Sequence, residues 1–206
     1  MAYHHGNLRR TLLDAALALF GERGTFDFTL RELAREAGVT HNAPYRHFAG
    51  KGELLASLRA EGFAALADAS RAALEGASDD PRARVRALGE AYVRFAIARP
   101  LHFRLMLHNP LGEAAASSPQ PRRRANAADE QQGEAFGILR DTIEGARKQG
   151  VVRDDLSARE LALGAWALVH GLSSLAVAGQ VPADEPRLKR YVRLLDKLFF
   201  EGALHR

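Results

Sequence analysis

Apolar residues recur along this chain at intervals of three and four, and that spacing predicts helices throughout. Leu8, Leu12, Ala15, Ala16, Leu19 and Phe20 form the first stripe, with Asn7 as its cap and Gly21 or Gly24 at its end. Leu30, Leu33, Ala34 and Ala37 form the second, behind a Thr29/Glu32 capping box. Gly38 then suits a left-handed helix end, and Val39 is the apolar residue expected beyond it. Thr40 can cap a further short helix to Phe48, with Ala43, Tyr45 and Phe48 on its buried side. A long amphipathic run follows from Lys51 through Leu54, Leu55, Leu58, Phe63, Leu66, Ala69 and Leu74 to Gly76.

Helical spacing continues over Arg82 to Arg99 and, after Pro100, through the strongly apolar stretch LHFRLMLHNPL. Gly112 to Asn126 is small, polar and proline-containing, which predicts a loop with Arg122, Arg123 and Arg124 in solvent. Helices resume at Ala127 to Gly150, after a Ser157/Glu160 capping box, and from Glu185 to Ala203. The expectation is an all-α chain of about nine helices. It divides into a three-helix domain over residues 1–50 and a larger helical domain over residues 51–206.

Composition narrows the picture. The 206 residues are 47% hydrophobic, enough for a sizeable core, and cysteine is absent, which excludes disulfides and thiolate metal sites. No metal and no cofactor is expected. The sequence shows no apolar run that reads as long enough to cross a bilayer, and its first residues lack a secretory signal. A cytoplasmic protein with no membrane partner is expected. Formal net charge is only +4, and between Met1 and Gly62 eight Lys/Arg face seven acids. Bulk charge therefore does not point to nucleic acid, and the argument rests on where the cations sit.

A helix, a glycine turn and a second short helix with an outward polar face is the helix-turn-helix pattern. Its second member offers Thr40, His41, Asn42, Tyr45, Arg46 and His47. Asn can read adenine and Arg guanine in the major groove, while Thr, Tyr and His bond phosphates. Pro44 falls in the first turn, where a missing N–H is tolerated, and contact there must be apolar or absent. His4 and His5 read as a solvated start or, alternatively, a groove-touching arm.

Thr29 to Lys51, containing GVTHNAPYRHFAGKGEL, resembles the DNA-binding domain of the TetR family of transcriptional regulators, and YHHGNLRRTLLDAALALF resembles that family's first helix. WALVHGL is similar to the Trp-His-Gly pattern in the C-terminal domain of one branch. The resemblance implies that Thr40, His41, Asn42, Tyr45, Arg46 and His47 face a double-stranded operator, with Thr29 and Lys51 on phosphates. Helix three often has Gly or Thr in the family where this chain has Ala43 and Pro44, so base preference is not transferable.

The resulting reading is a regulator acting as a homodimer through its last two helices, most simply a repressor. A small, largely apolar effector would bind the C-terminal domain and release a pseudo-palindromic operator. Candidate effector-binding residues are Tyr92, Phe95, Phe103, Met106, Phe136, Leu139, Trp166 and His170. His170 reads either as a polar handle or as a satisfied core histidine. The alternatives are an activator of the same fold, a helical enzyme or an adaptor that binds no DNA. No triad, HExxH or phosphate-cradling loop favours the enzyme.

Overall fold

The computed structural model describes residues 8–107 and 125–203, which form eight α-helices and one 3-10 turn, with no strand among them. The helices are α1 (Leu8–Arg23), α2 (Leu30–Glu36), α3 (Lys51–Glu75), α4 (Pro81–Ala98), α5 (Pro100–Leu107), α6 (Ala125–Lys148), α7 (Ala158–Val177) and α8 (Glu185–Ala203); the 3-10 turn is Pro44–Arg46. The expected roles of His4, His5, Asn7 and Arg122 to Arg124 lie outside the described residues.

Local chemistry sets most boundaries. Thr29 Oγ accepts from the Glu32 N–H, while the Glu32 carboxylate accepts from the Thr29 N–H at 2.8 Å, so the capping box at α2 is complete. At its other end Gly38 has φ +65°, and the Val39 N–H bonds back to the Ala34 carbonyl at 2.9 Å. That closure needs a left-handed residue, which glycine supplies without a Cβ clash. Ser157 and Glu160 form the same reciprocal cap at α7, and Asp80 caps α4 by accepting from the Ala83 N–H.

Two compact units result: Met1–Gly62 with Leu101–Asp129, and Phe63–Pro100 with Glu130–Arg206. The division falls twelve residues beyond the boundary expected at residue 50, and it places α5 with the first unit. The reason is packing. The apolar faces of α1 and α2 (Leu12, Leu13, Ala16, Leu33) are closed by Leu54, Leu55 and Leu58 of α3 and by Leu105 of α5. Three helices alone would leave that core open. Phe20 and Phe26 stack at 3.9 Å between ring centroids beside it.

In the second unit α4 packs on α7 and α8. A Cβ at Gly89 would lie 3.5 Å from Val192 and 4.0 Å from Val169, so α4 is in close contact with both. Val85, Ile143, Ala146, Val152, Leu161, Ala162 and Phe200 form the core, with Phe136, Leu139 and Phe199 on its margin. α7 overturns the expectation that no apolar run could span a bilayer. Its 20 residues reach a mean hydropathy of 1.4 over the best window, enough by length and composition. The helix is apolar on both sides because one side packs on α4 and α8 and the other leaves Leu163, Leu168 and Leu175 exposed.

Candidate nucleic-acid interface and an aromatic network

The second member of the helix-turn-helix departs from expectation. In place of an α-helix from Thr40 it is a turn closed by i→i+3 bonds: Ala43 N–H to Thr40 O, Arg46 N–H to Ala43 O and His47 N–H to Pro44 O. Pro44 explains this. An α-helix starting at Thr40 would need the residue-44 N–H on the Thr40 carbonyl, and proline has none. The carbonyl takes Ala43 instead, and the chain tightens to three residues per turn.

Ala43, Pro44 and Phe48 are buried, with Phe48 only 1% exposed, whereas Tyr45 is 53% exposed and lies outside the buried side once expected for it. Thr40, His41, Asn42, Tyr45, Arg46 and His47 are all exposed. Every polar group expected to face DNA therefore lies on the open side of a short segment whose underside is fixed in the core. A segment this short gets its rigidity from that underside rather than from its own hydrogen bonds.

The cations nearby fall into two sets. Arg10 is tied to Asp14 and Glu61, and Arg23 to Glu32, so carboxylates cancel much of their field. Among the described residues no carboxylate pairs with Arg9, Arg31, Arg35 or Arg46. Arg9 lies over the Phe48 ring at 5.4 Å, and Lys51, half-buried at the start of α3, lies over the Phe28 ring at 5.1 Å. Thr29 differs from these. Its N–H and hydroxyl both donate to Glu32 Oε2, at 2.8 and 2.9 Å. Those bonds, with Arg23, hold the Glu32 carboxyl down at about 2, so an anion already occupies the start of α2.

The expected effector residues are divided between the two units. Phe103 and Met106 fall in the first unit, 3% and 4% exposed, with Met106 packed closely on Gly62. In the second unit Tyr92, Trp166 and His170 form a bonded network. Trp166 Nε1 donates to Tyr92 Oη at 3.0 Å, Tyr92 Oη lies 3.1 Å from His170 Nδ1, and His170 Nε2 lies 3.2 Å from Ser174 Oγ. The Trp166 N–H can only donate, so the tyrosine oxygen accepts it, while the Tyr92 hydroxyl and His170 Nδ1 share a bond whose direction follows the imidazole tautomer. Burial lowers the His170 pKa and raises that of Tyr92 to about 12, so both are neutral near pH 7.

Phe136 meets Trp166 edge-on at 6.1 Å, Leu139 lies beside it on the core margin, and Phe95 is buried in α4. Of the two readings of His170, the satisfied one describes its nitrogens. Ser174 escaped the sequence reading, although its i+4 spacing from His170 places the two on one helix face.

A helix-turn-helix with a buried underside and an outward polar face, in an all-helical chain with a separate C-terminal unit, defines a DNA-binding transcriptional regulator. The family is equally clear. Residues 12–58 match the model described as bacterial regulatory proteins, tetR family, and residues 85–198 match that of a tetracyclin repressor-like C-terminal domain. The chain belongs to the TetR family, a family of transcriptional regulators and not of enzymes.

Among solved structures, a protein with unknown function from Rhodococcus sp. RHA1 is 32% identical, with full coverage of both chains and a TM-score of 0.78. The fatty acid degradation regulator FadR from Bacillus halodurans shares the fold at a TM-score of 0.75 and 19% identity, covering 99% of this chain and 100% of its own. The transcriptional regulator BetI from Brucella anthropi is 35% identical over 80 residues, 39% of this chain and 41% of its own. SrpR from Pseudomonas putida is 48% identical over 52 residues, 25% of this chain and 24% of its own. The matches thus span about two fifths of one of these curated relatives and a quarter of the other.

Proposed function

We propose that this regulator is a cytoplasmic, effector-released repressor that binds a pseudo-palindromic operator as a homodimer. The observation that carries the operator reading is the exposure of Thr40, His41, Asn42, Tyr45, Arg46 and His47 above a buried Ala43, Pro44 and Phe48. In the dimer the two segments enter successive major grooves about 34–36 Å apart. Asn42 and Arg46 read base edges. Thr40, His41, Tyr45, His47 and Lys51 hold the backbone, and Thr29 does so by exchanging Glu32 for a phosphate.

The second copy is argued from α7 and α8. Leu163, Leu168, Leu175, Leu194 and Leu198 are between 37% and 55% exposed, and all lie on those two helices. Pairing that face with its own copy gives a four-helix arrangement and covers the leucines. The proposed effector is apolar and binds around Tyr92, Phe95, Phe136, Leu139, Trp166 and His170. Support for this is the group of aromatic rings whose polar atoms already bond one another, which leaves mainly ring surface to a ligand.

Selection of bound sequences from random duplexes tests the reading. A two-fold sequence should emerge. Arg46→Ala should then weaken binding and relax the preference at one base pair per half-site, a discrimination worth about 1–3 kcal/mol. Lys51→Ala should weaken all sequences alike. Failure to bind any duplex at low salt would overturn the proposal. A promoter-reporter assay decides the sign of regulation, and loss of expression on deleting the protein would favour the activator.

A further inference from the structure

We infer that Arg9 is a further phosphate-binding residue, one that the Phe48 ring holds beside the reading segment. The inference rests on duplex binding through Thr40 to His47 and adds a contact from α1. Phe48 directly follows His47, and its ring is locked in the core at 1% exposure. The Arg9 guanidinium lies over that ring at 5.4 Å, so α1 delivers an exposed cation to the edge of the segment that faces DNA.

Ring seating and carboxylate pairing have opposite consequences for an incoming anion. A carboxylate neutralises an arginine and must be displaced before a phosphate can bind. An aromatic face attracts the cation, restricts its rotamers and leaves the net charge intact. Part of the ordering cost of a phosphate contact is then met before DNA arrives. Arg10, the next residue, illustrates the other case, because Asp14 and Glu61 hold it. Lys51 on Phe28 repeats the Arg9 arrangement at the start of α3, three residues beyond Phe48. Arg104 also lies over a ring, that of Phe20, but it donates to the Gly24 carbonyl. Gly24 is fifteen residues along α1 from Arg9, about 22 Å at helical rise, so that cation is remote from the reading segment.

Phosphate contacts are recognised by salt dependence and by indifference to sequence. The test measures duplex affinity of the full chain over a salt series, for wild type, Arg9→Gln, Arg9→Lys, Arg10→Gln and Arg46→Ala. Arg9→Gln should lose affinity several-fold and equally on matched and mismatched duplexes. Its log K against log salt slope should flatten by about 0.9 for each Arg9 engaged. Arg9→Lys should restore the slope, and Arg10→Gln should leave it at the wild-type value. An Arg9→Gln slope equal to wild type, with Arg46→Ala still impaired, overturns the role of Arg9 and leaves the operator reading standing. A changed base preference in Arg9→Gln overturns the phosphate assignment. A wild-type chain that binds no duplex removes both.

Discussion

The two units treat exposed apolar surface in opposite ways. In the first, Tyr45 is the one exposed large apolar side chain among the described residues, and it sits in the reading segment. In the second, five leucines on α7 and α8 are exposed. Fully burying a leucine contributes about 1.5–3 kcal/mol relative to leaving it in water, so covering these five half-exposed leucines would add roughly half of that for each. One unit has closed its core and presents polar groups, as binding to a polyanion requires. The other has kept an apolar face, as pairing with an equally apolar surface requires. The difference separates what one copy does alone from what two copies do together.

The largest effect should come from attacking the open face. Leu194→Asp combined with Leu198→Asp places carboxylates where the proposed partner helices meet, and burying unpaired charge is strongly unfavourable. Sedimentation should show the dimer dissociating at least 100-fold more readily, with operator affinity falling in step. The first unit should keep its stability. A variant that stays dimeric and keeps operator affinity would mean that α8 does not carry the interface.

The next largest effect tests whether the first unit is complete without α5. Leu105 is fully buried against the residues of α1 and α3 that close this core. Leu105→Ala should cost about 2–5 kcal/mol, the range for truncating a packed leucine. The loss should appear in denaturant unfolding with the dimer intact. A cost below 1 kcal/mol would return the boundary to residue 50, where the three-helix expectation placed it.

That boundary shows what the sequence carried and what it did not. Thr29, Glu32, Gly38, Ser157 and Glu160 act on neighbours within a few residues, so the caps and helix ends they dictate were legible from spacing. The outward set from Thr40 to His47 was legible for the same reason. Other features depend on partners far along the chain. Leu105 closes a core built by residues before Leu58, and nothing in LHFRLML indicates which core it joins. Pro44 was local, yet its consequence was misjudged: tolerance of the missing N–H was foreseen, but the replacement of the expected α-helix by a 3-10 turn was not. Arg9 is a further case, because its ring lies thirty-nine residues away.

The smallest effect concerns the aromatic network. The folded chain holds His170 neutral because burial lowers its pKa, whereas the unfolded chain titrates near the ordinary value of about 6.5. Above that value neither state binds the proton, and this group's contribution to stability is fully present. As pH falls below it the unfolded state takes up a proton that the folded state resists, so stability declines. His170→Gln should flatten this part of the decline between pH 7 and pH 5 in thermal melts. Trp166 is the chain's single tryptophan and lies 6.0 Å from the His170 ring, so its fluorescence reports the same event directly. Tyr92→Phe should shift that emission at neutral pH and cost about 1 kcal/mol, because the Trp166 N–H loses its acceptor. An unchanged acid decline in His170→Gln would show that His170 is protonated as readily in the folded chain as in water.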